Sequence, residues 1–381
     1  MNQAVPENVT ELLRALISIP SVNPDGDAGT DRTGEGEIAR YVGDFLSACG
    51  ASVEFEEVKP DRPNVIGKFP SNGSGKPKVL LAPHTDTVTV TGMTIDPFAA
   101  EVRNGRVYGR GACDTKGTMA AMLWALKENA GALADLSAEI HFVGLMSEET
   151  GQDGSRHFGE HHPDYAFALV GEPTGCDIVY KHKGCTWAKI TTTGQAVHGS
   201  TPERGENAIT AMAKIVQALD TDFRSQIENA YPADPVLGTP TINIGQIRGG
   251  VRTNIVADYC ELRVDLRSTP QMEQAGGALA ALTELVNKVD PKASVELQGI
   301  VAKSLDTDPD NSFVGHLKEA GGELVGAPWF CDAAHLSEVG IPSVAAGPGD
   351  IAQAHTEDEW ISIEELEAGV DFYGRFLRSL S

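Results

Sequence analysis

The stretch "GLMSEETGQDG", residues 144–154, closes an apolar run, "AEIHFVGLM", with two acids side by side, Glu148 and Glu149. Adjacent carboxylates at the mouth of a buried strand repel each other and are costly to desolvate unless a positive charge lies close by. The segments on either side say what kind of sheet this strand belongs to and where that charge comes from.

Upstream, residues 8–18 and 35–48 read as helices, the second stopped by Gly50. Strands follow at "ASVEFEEV", "NVIGKF" and "KVLLAP". In "EVRNGRVY", Asn104-Gly105 sits between alternating segments and marks a hairpin, because a type I′ turn needs positive φ at both central residues. "DTKGTMAAMLWALKENAG" is a helix with Asp114 just ahead of it, and strands at 138–146 and 166–170 complete an α/β alternation. That pattern predicts a largely parallel, helix-flanked sheet.

From residue 183 the pattern changes. "KGCTWAKITTTG", "TPTINIGQI", "YCELRVDLRST" and "ASVELQG" read as strands, and residues 207–223 and 271–289 as helices. The order β-α-β-β-α-β is that of a ferredoxin-like split unit. The expectation is an inserted domain at 183–299 within a discontinuous α/β domain of residues 1–182 and 300–381. The α/β domain resumes with a helix near 311–320, the strand "IPSVAAG" and a last helix from 363.

Two domains suit 381 residues at about 100–200 per domain. No apolar run approaches the roughly 18 residues of a membrane span, and the N-terminal "MNQAVPENVTELLRALISIP" reads as a first helix and not a signal peptide. The expected setting is the cytoplasm. With 54 acidic against 30 basic residues the net charge is −24, which argues against nucleic acid or anionic membrane as partners. Six scattered cysteines with no C-x-x-C pair fit free thiols in a reducing compartment and not a cysteine zinc site.

Acids and histidines recur just after the apolar strands. "VLLAPHTDTV" gives His84 and Asp86, "FVGLMSEET" Glu148 and Glu149, "FALVGEPTG" Glu172, and "IPSVAAGPGDIAQAHTEDE" His355, while Asp114 ends "VYGRGACDTKG". Singly, each has a plain alternative: a loop histidine that packs, an Asp that caps a helix, a Glu in turn chemistry. Together they can converge, since ligands collect at the carboxyl ends of strands in open α/β sheets. Two imidazoles with three of these carboxylates and no thiolate suit catalytic zinc, or less specifically cobalt or manganese. Five donors exceed the three that one catalytic zinc takes, and with one carboxylate bridging they suit two metals.

"PHTDTV", "GRGACDTKG", "SEETG", "GEPTG", "VHGSTPERGENAI", "GGVRTNIVAD", "VDLR" and "GPG...AHTEDE" resemble, in order and spacing, the M20 metallopeptidases, a group that includes acetylornithine deacetylase, succinyl-diaminopimelate desuccinylase, carboxypeptidase G and aminoacylase. The resemblance implies that His84, Asp114 and Glu172 hold one divalent metal and Asp114, Glu149 and His355 the other. It implies that Glu148 is the general base, and that Asp86 fixes the ring of His84. In the inserted domain His198 matches a histidine that reaches the oxyanion from the partner subunit of a homodimer. Asn254 matches a substrate contact and Arg267 an arginine that pairs with the substrate carboxylate, although Arg263, Asp265 and Arg267 also alternate like the solvent face of any strand. Gly347 and Gly349 look like a loop that lets backbone approach the substrate.

The implied activity is hydrolysis of the amide bond of an N-acyl amino acid, with a carboxypeptidase or dipeptidase of the same family as the alternative. A non-catalytic binding protein on the same fold is the alternative of another class, and the presence of Glu148 and every ligand argues against it. "GRGACD" begins like a dinucleotide-binding G-x-G-x-x-G but has Asp114 at the third glycine, and no G-x-S-x-G elbow occurs. Cys113 reads as a small buried residue. Cys331 and Asp332 in "WFCDAAHL" stand where the family often has Thr or Ser before an acid, and Arg252 matches no one subfamily, so these positions leave the acyl group open.

Overall fold

Asn8 starts the first helix. Its side chain accepts the amide of Glu11, and α1 (Val9–Ser18) buries Leu12, Leu13, Leu16 and Ile17 along one stripe. Each such side chain withdrawn from water contributes roughly 1.5–3 kcal/mol. The computed structural model describes residues 6–381; the stretch before residue 6, expected in the first domain, lies outside the described residues.

α2 (Gly36–Ala48) ends where Gly50 takes φ 94°. β1 (Ser52–Lys59), β2 (Arg62–Lys68) and β3 (Lys78–Pro83) follow. Asn104 and Gly105, at φ 51° and 72°, turn β4 (Glu101–Arg103) into β5 (Arg106–Tyr108), as the hairpin signal requires. α3 (Lys116–Asn129) is buried on all sides from Lys116 to Leu126, so it is an interior helix. Next come β6 (Glu139–Gly144), α4 (Asp153–His161), β7 (Phe167–Gly171) and β8 (Ile178–His182).

The chain forms two compact units. One takes in residues up to Tyr180, Thr307–Val325 and Cys331–Ser381; the other is Lys181–Asp306 with Gly326–Phe330. The second unit holds β9 (Cys185–Thr193), α5 (Ala208–Ala218), α6 (Arg224–Ala230), β10 (Thr241–Gly249), β11 (Tyr259–Arg267), α7 (Pro270–Gln274), α8 (Ala278–Val289), β12 (Ser294–Ala302) and β13 (Leu305–Asp306). Its sheet runs β10-β11-β9-β12, antiparallel throughout. The helix expected over 207–223 continues through a π turn at Leu219–Phe223 into α6. The one expected over 271–289 is broken, because Gly276 and Gly277 take φ 113° and 85°, which no helix accommodates.

On return the chain adds α9 (Ser312–Glu319), β14 (Leu324–Ala327), α10 (Ala333–Glu338), β15 (Ser343–Ala345), β16 (Trp360–Ser362) and α11 (Ile363–Ser379), which opens with a reciprocal Ser362–Glu365 capping box. In the first unit β6, β3, β7 and β15 lie side by side and parallel. β1 and β2 extend this centre antiparallel, since only Pro60 and Asp61 join them and a parallel pair needs a long crossover. The parallel centre is the sheet expected from the sequence. Helices α1, α3 and α11 pack on one another and share a core with Val79, Leu81, Phe142 and Leu169 of its strands.

Candidate metal centre

Four parallel strands end on one edge, and the next residues carry the chemistry. His84 and Asp86 follow β3, Glu148 and Glu149 follow β6, Glu172 follows β7, and the segment after β15 leads to His355. Asp114 arrives from the turn between β5 and α3. The cap position of α3 is Thr115, which makes no side-chain cap, so the carboxylate of Asp114 is not a helix cap. It is bound on both sides: Oδ1 lies 3.1 Å from His84 Nε2 and Oδ2 3.3 Å from His355 Nε2. His355 Nε2 also lies 3.1 Å from Glu149 Oε2.

Two triads result. His84, Asp114 and Glu172 each bring one donor atom to within 4.8 Å of the others, and so do Asp114, Glu149 and His355. The donor chemistry fits a pair of divalent cations. All donors are imidazole nitrogen or carboxylate oxygen, and Glu172 Oε1 is buried without a hydrogen-bond partner, a costly state that a cation relieves.

The electrostatics agree. Burial, then the charge of Asp114, pushes Glu149 up to about 7. Burial also raises Glu172, with Asp114 next, and Glu148, with Glu172 next. Hydrogen bonds donated to the Asp114 and Glu149 carboxylates push the His355 imidazole up to about 10. For Asp114 burial works upward, but the two histidines outweigh it and hold the carboxyl below its usual range. So many acids around two imidazoles lack positive charge, which answers the question posed by the adjacent Glu148 and Glu149.

Asn23, Glu35 and Glu359, buried residues that the sequence did not single out, hold the loops that carry the candidate ligands. Asn23 donates from Nδ2 to Asp86 Oδ2 at 2.8 Å. Asp86 in turn accepts the amides of Glu148 at 2.9 Å and Glu149 at 3.1 Å. The His84 ring bonds to the main-chain oxygen of Asp86 at 3.1 Å, while its carboxylate stands at 3.4 Å. Asp86 thus orients His84 chiefly through backbone, and its carboxylate fastens the Glu148–Glu149 turn. That turn begins at Ser147, at φ 64°, whose amide donates to Glu35, itself paired with buried Arg62 through contacts of 2.6 and 2.8 Å. Glu359 accepts the amides of Gly111, Cys113 and Asp114 at 2.9–3.0 Å and pairs with Arg110 at 2.8 Å. Its only sequence signal was an acid four residues past His355, within a run that looks solvated. Cys113 is buried, and burial followed by the charge of Glu359 pushes its thiol far up, so it offers no thiolate.

Gly347 and Gly349 serve close packing. A Cβ on Gly347 would meet Thr118 Cγ2 and Tyr373 Oη at 2.6 Å, and Gly349 has φ 92° with Cys113 Sγ 2.7 Å from such an atom. In the second unit His198 is exposed, with Nδ1 2.7 Å from Ser200 Oγ, and it lies beside Asn254, whose carbonyl accepts the amide of Gly199 at 2.8 Å. Arg267 ends β11 with its fork on Asp265 at 2.9 and 3.0 Å and its guanidinium 5.5 Å from the Phe330 ring.

Comparison with known proteins gives the geometry a context. The profile of Peptidase family M20/M25/M40 matches residues 80–379. An acetylornithine deacetylase of Proteus mirabilis is 32% identical over 397 residues, covering 100% of this chain and 98% of its own. Among solved structures, an M20 family metallo-carboxypeptidase of Sulfolobus solfataricus superposes with TM-score 0.79 at 19% identity, over 98% of this chain and 99% of the other. A Bacillus subtilis dinuclear metal binding peptidase from the M20 family gives TM-score 0.71 at 16% identity, over 97% and 96%. At those identities the two structures speak for the fold, and the profile and the full-length relative for descent. The chain belongs to peptidase family M20/M25/M40 and is a metal-dependent amidohydrolase.

Proposed function

We propose that this enzyme is a two-metal deacylase that cleaves the amide bond of an N-acyl amino acid. The observation that carries this is Asp114, which turns one carboxylate oxygen to each of two donor triads. The full-length similarity to an acetylornithine deacetylase supports an acylated amino acid as substrate. His84, Asp114 and Glu172 would hold one divalent ion and Asp114, Glu149 and His355 the second, with zinc best matched to the donors and cobalt or manganese able to replace it. Bound there, the ions would polarise the amide carbonyl and acidify the attacking water.

The remaining steps belong to the chain. Glu148 takes the proton of that water and returns it to the leaving nitrogen. Asp86 keeps Glu148 and Glu149 in register through their amides. Arg267, released from Asp265, takes the substrate's free carboxylate on its fork, Asn254 contacts the substrate, and Gly347 and Gly349 shape the loop beside it. We assign His198 to the oxyanion of a partner subunit in a homodimer formed through the second unit; an active monomer in sedimentation would remove that assignment. No helix among the described residues is long and apolar enough to cross a membrane, and the six cysteines are unpaired. Both fit a small-molecule enzyme of the cytoplasm.

The test is a panel of acetyl-ornithine, succinyl-diaminopimelate, other N-acyl amino acids and dipeptides, with zinc or cobalt supplied. An N-acyl amino acid should be the best substrate. Glu148→Ala should lose about 10²–10⁴-fold in kcat at unchanged metal content. Full turnover by that variant would mean that the base has been misassigned.

A further inference from the structure

The opening stretch contains one more buried polar side chain, Gln152. It is fully buried, and its backbone sits at φ 54°, a conformation that residues other than glycine rarely adopt. Its amide N–H donates to Ser147 O at 2.7 Å, which closes the turn carrying Glu148 and Glu149. Its side chain returns to that turn, where Nε2 donates to Glu148 Oε1 at 3.3 Å.

The other end of this side-chain amide is held from a distant part of the chain. His335 Nε2 lies 2.7 Å from Gln152 Oε1, and His335 is 4% exposed on α10. α10 is docked on α4 directly after Gln152. Ser155 Oγ bonds to Asp332 Oδ1 at 2.5 Å, and the missing Cβ of Gly159 leaves room for Val339, whose Cγ2 would stand 3.1 Å from it. An amide oxygen can only accept, so His335 carries its proton on Nε2. A glutamine turned the other way would point its oxygen at the Glu148 carboxylate. Arg156 Nε stands 3.4 Å from the same His335 nitrogen, and Glu338 Oε2 3.4 Å from Nδ1; the 2.7 Å contact is the shorter and sets the tautomer.

We propose that Gln152 and His335 are positioning residues for Glu148: His335 fixes the Gln152 amide, and Gln152 Nε2 pins one carboxylate oxygen of Glu148, leaving the other free to move a proton. The proposal rests on Glu148 being the base. The side-chain hydrogen bonds of the two residues run to Glu148, to each other and to Arg156 and Glu338, not to a donor of the metal triads. Their effect is therefore on the chemical step and not on binding.

Gln152→Leu and His335→Phe in the full-length, metal-loaded enzyme should lower kcat about 10–100-fold, with KM changed by less than about twofold and metal content unchanged. His335→Gln, whose amide nitrogen can take the place of Nε2, should restore most of the loss. Nitrogen-15 spectra of the parent should show His335 protonated at Nε2, and that resonance should shift in Gln152→Leu. An Nδ1–H tautomer in the parent overturns the proposal even if the variants fail to fold. So does a kcat within about twofold of the parent in both variants, or a loss expressed as raised KM or missing metal. If Glu148→Ala kept its turnover, the base assignment would fall, whereas the tautomer result would stand by itself.

Discussion

A single histidine away from the metal donors shows how burial converts into pH dependence. His141 on β6 is 7% exposed, with Nδ1 2.8 Å from Tyr165 Oη. Burial, then Lys68 and Lys78, lowers it from 6.5 to about 4. The folded chain therefore keeps this imidazole neutral where the unfolded chain would protonate it. The associated stability is complete above about pH 6.5 and is lost as pH falls toward 4, on the order of 3 kcal/mol in all. His141→Gln should shrink the drop in urea-denaturation free energy between pH 7 and 4.5 by a few kcal/mol relative to the parent. Equal drops in the two proteins would show that His141 is not the group responsible.

At the scale of elements, strand ends supply most of the candidate ligands, but the segment before α11 sets the geometry of Asp114. Glu359 gathers three amides of the loop between β5 and α3, and it lies just past His355, so one short segment steadies both triads. Replacing a residue that orients a metal ligand typically costs 10–100-fold, so Glu359→Gln should weaken metal binding by about that much in chelator competition. Its near-UV circular dichroism should stay native, and an unchanged affinity would disprove the role. The same contrast explains what could be read in the sequence. "KVLLAP", "AEIHFVG" and "FALVG" are apolar runs whose ends point to the ligands, and Asn104-Gly105 dictates its own turn. β16 is a three-residue strand, too short to leave a period, and the Gly276–Gly277 break lay inside an otherwise helical pattern. Asn23, Glu35, Gln152 and Glu359 were invisible for another reason: each is a polar residue whose burial is created by elements far away in sequence, and no local pattern records that.

At the scale of the whole molecule, the candidate donor positions run from residue 84 to residue 355, yet every one of them belongs to the first unit, so metal binding there would tie together segments that only folding makes neighbours. The chain carries a net charge of −24, and the centre concentrates acids at its middle, so cations there relieve a repulsion that hydrophobic burial alone must otherwise overcome. A ligand that binds only the folded state at about a thousand times its Kd stabilises by about 4 kcal/mol. Chelation should therefore lower the calorimetric Tm by on the order of 10 °C, and restored zinc or cobalt should reverse the loss. The direction with pH is also fixed. Without metal, Glu149 holds its proton up to about 7 and His355 up to about 10, and both protons must leave before the oxygen and nitrogen can act as donors. Proton competition therefore weakens metal binding as pH falls. The Tm gap between loaded and chelated protein should be wide at pH 8 and narrow at pH 6. A Tm indifferent to chelation at both pH values would mean that these donors do not hold metal in the folded protein.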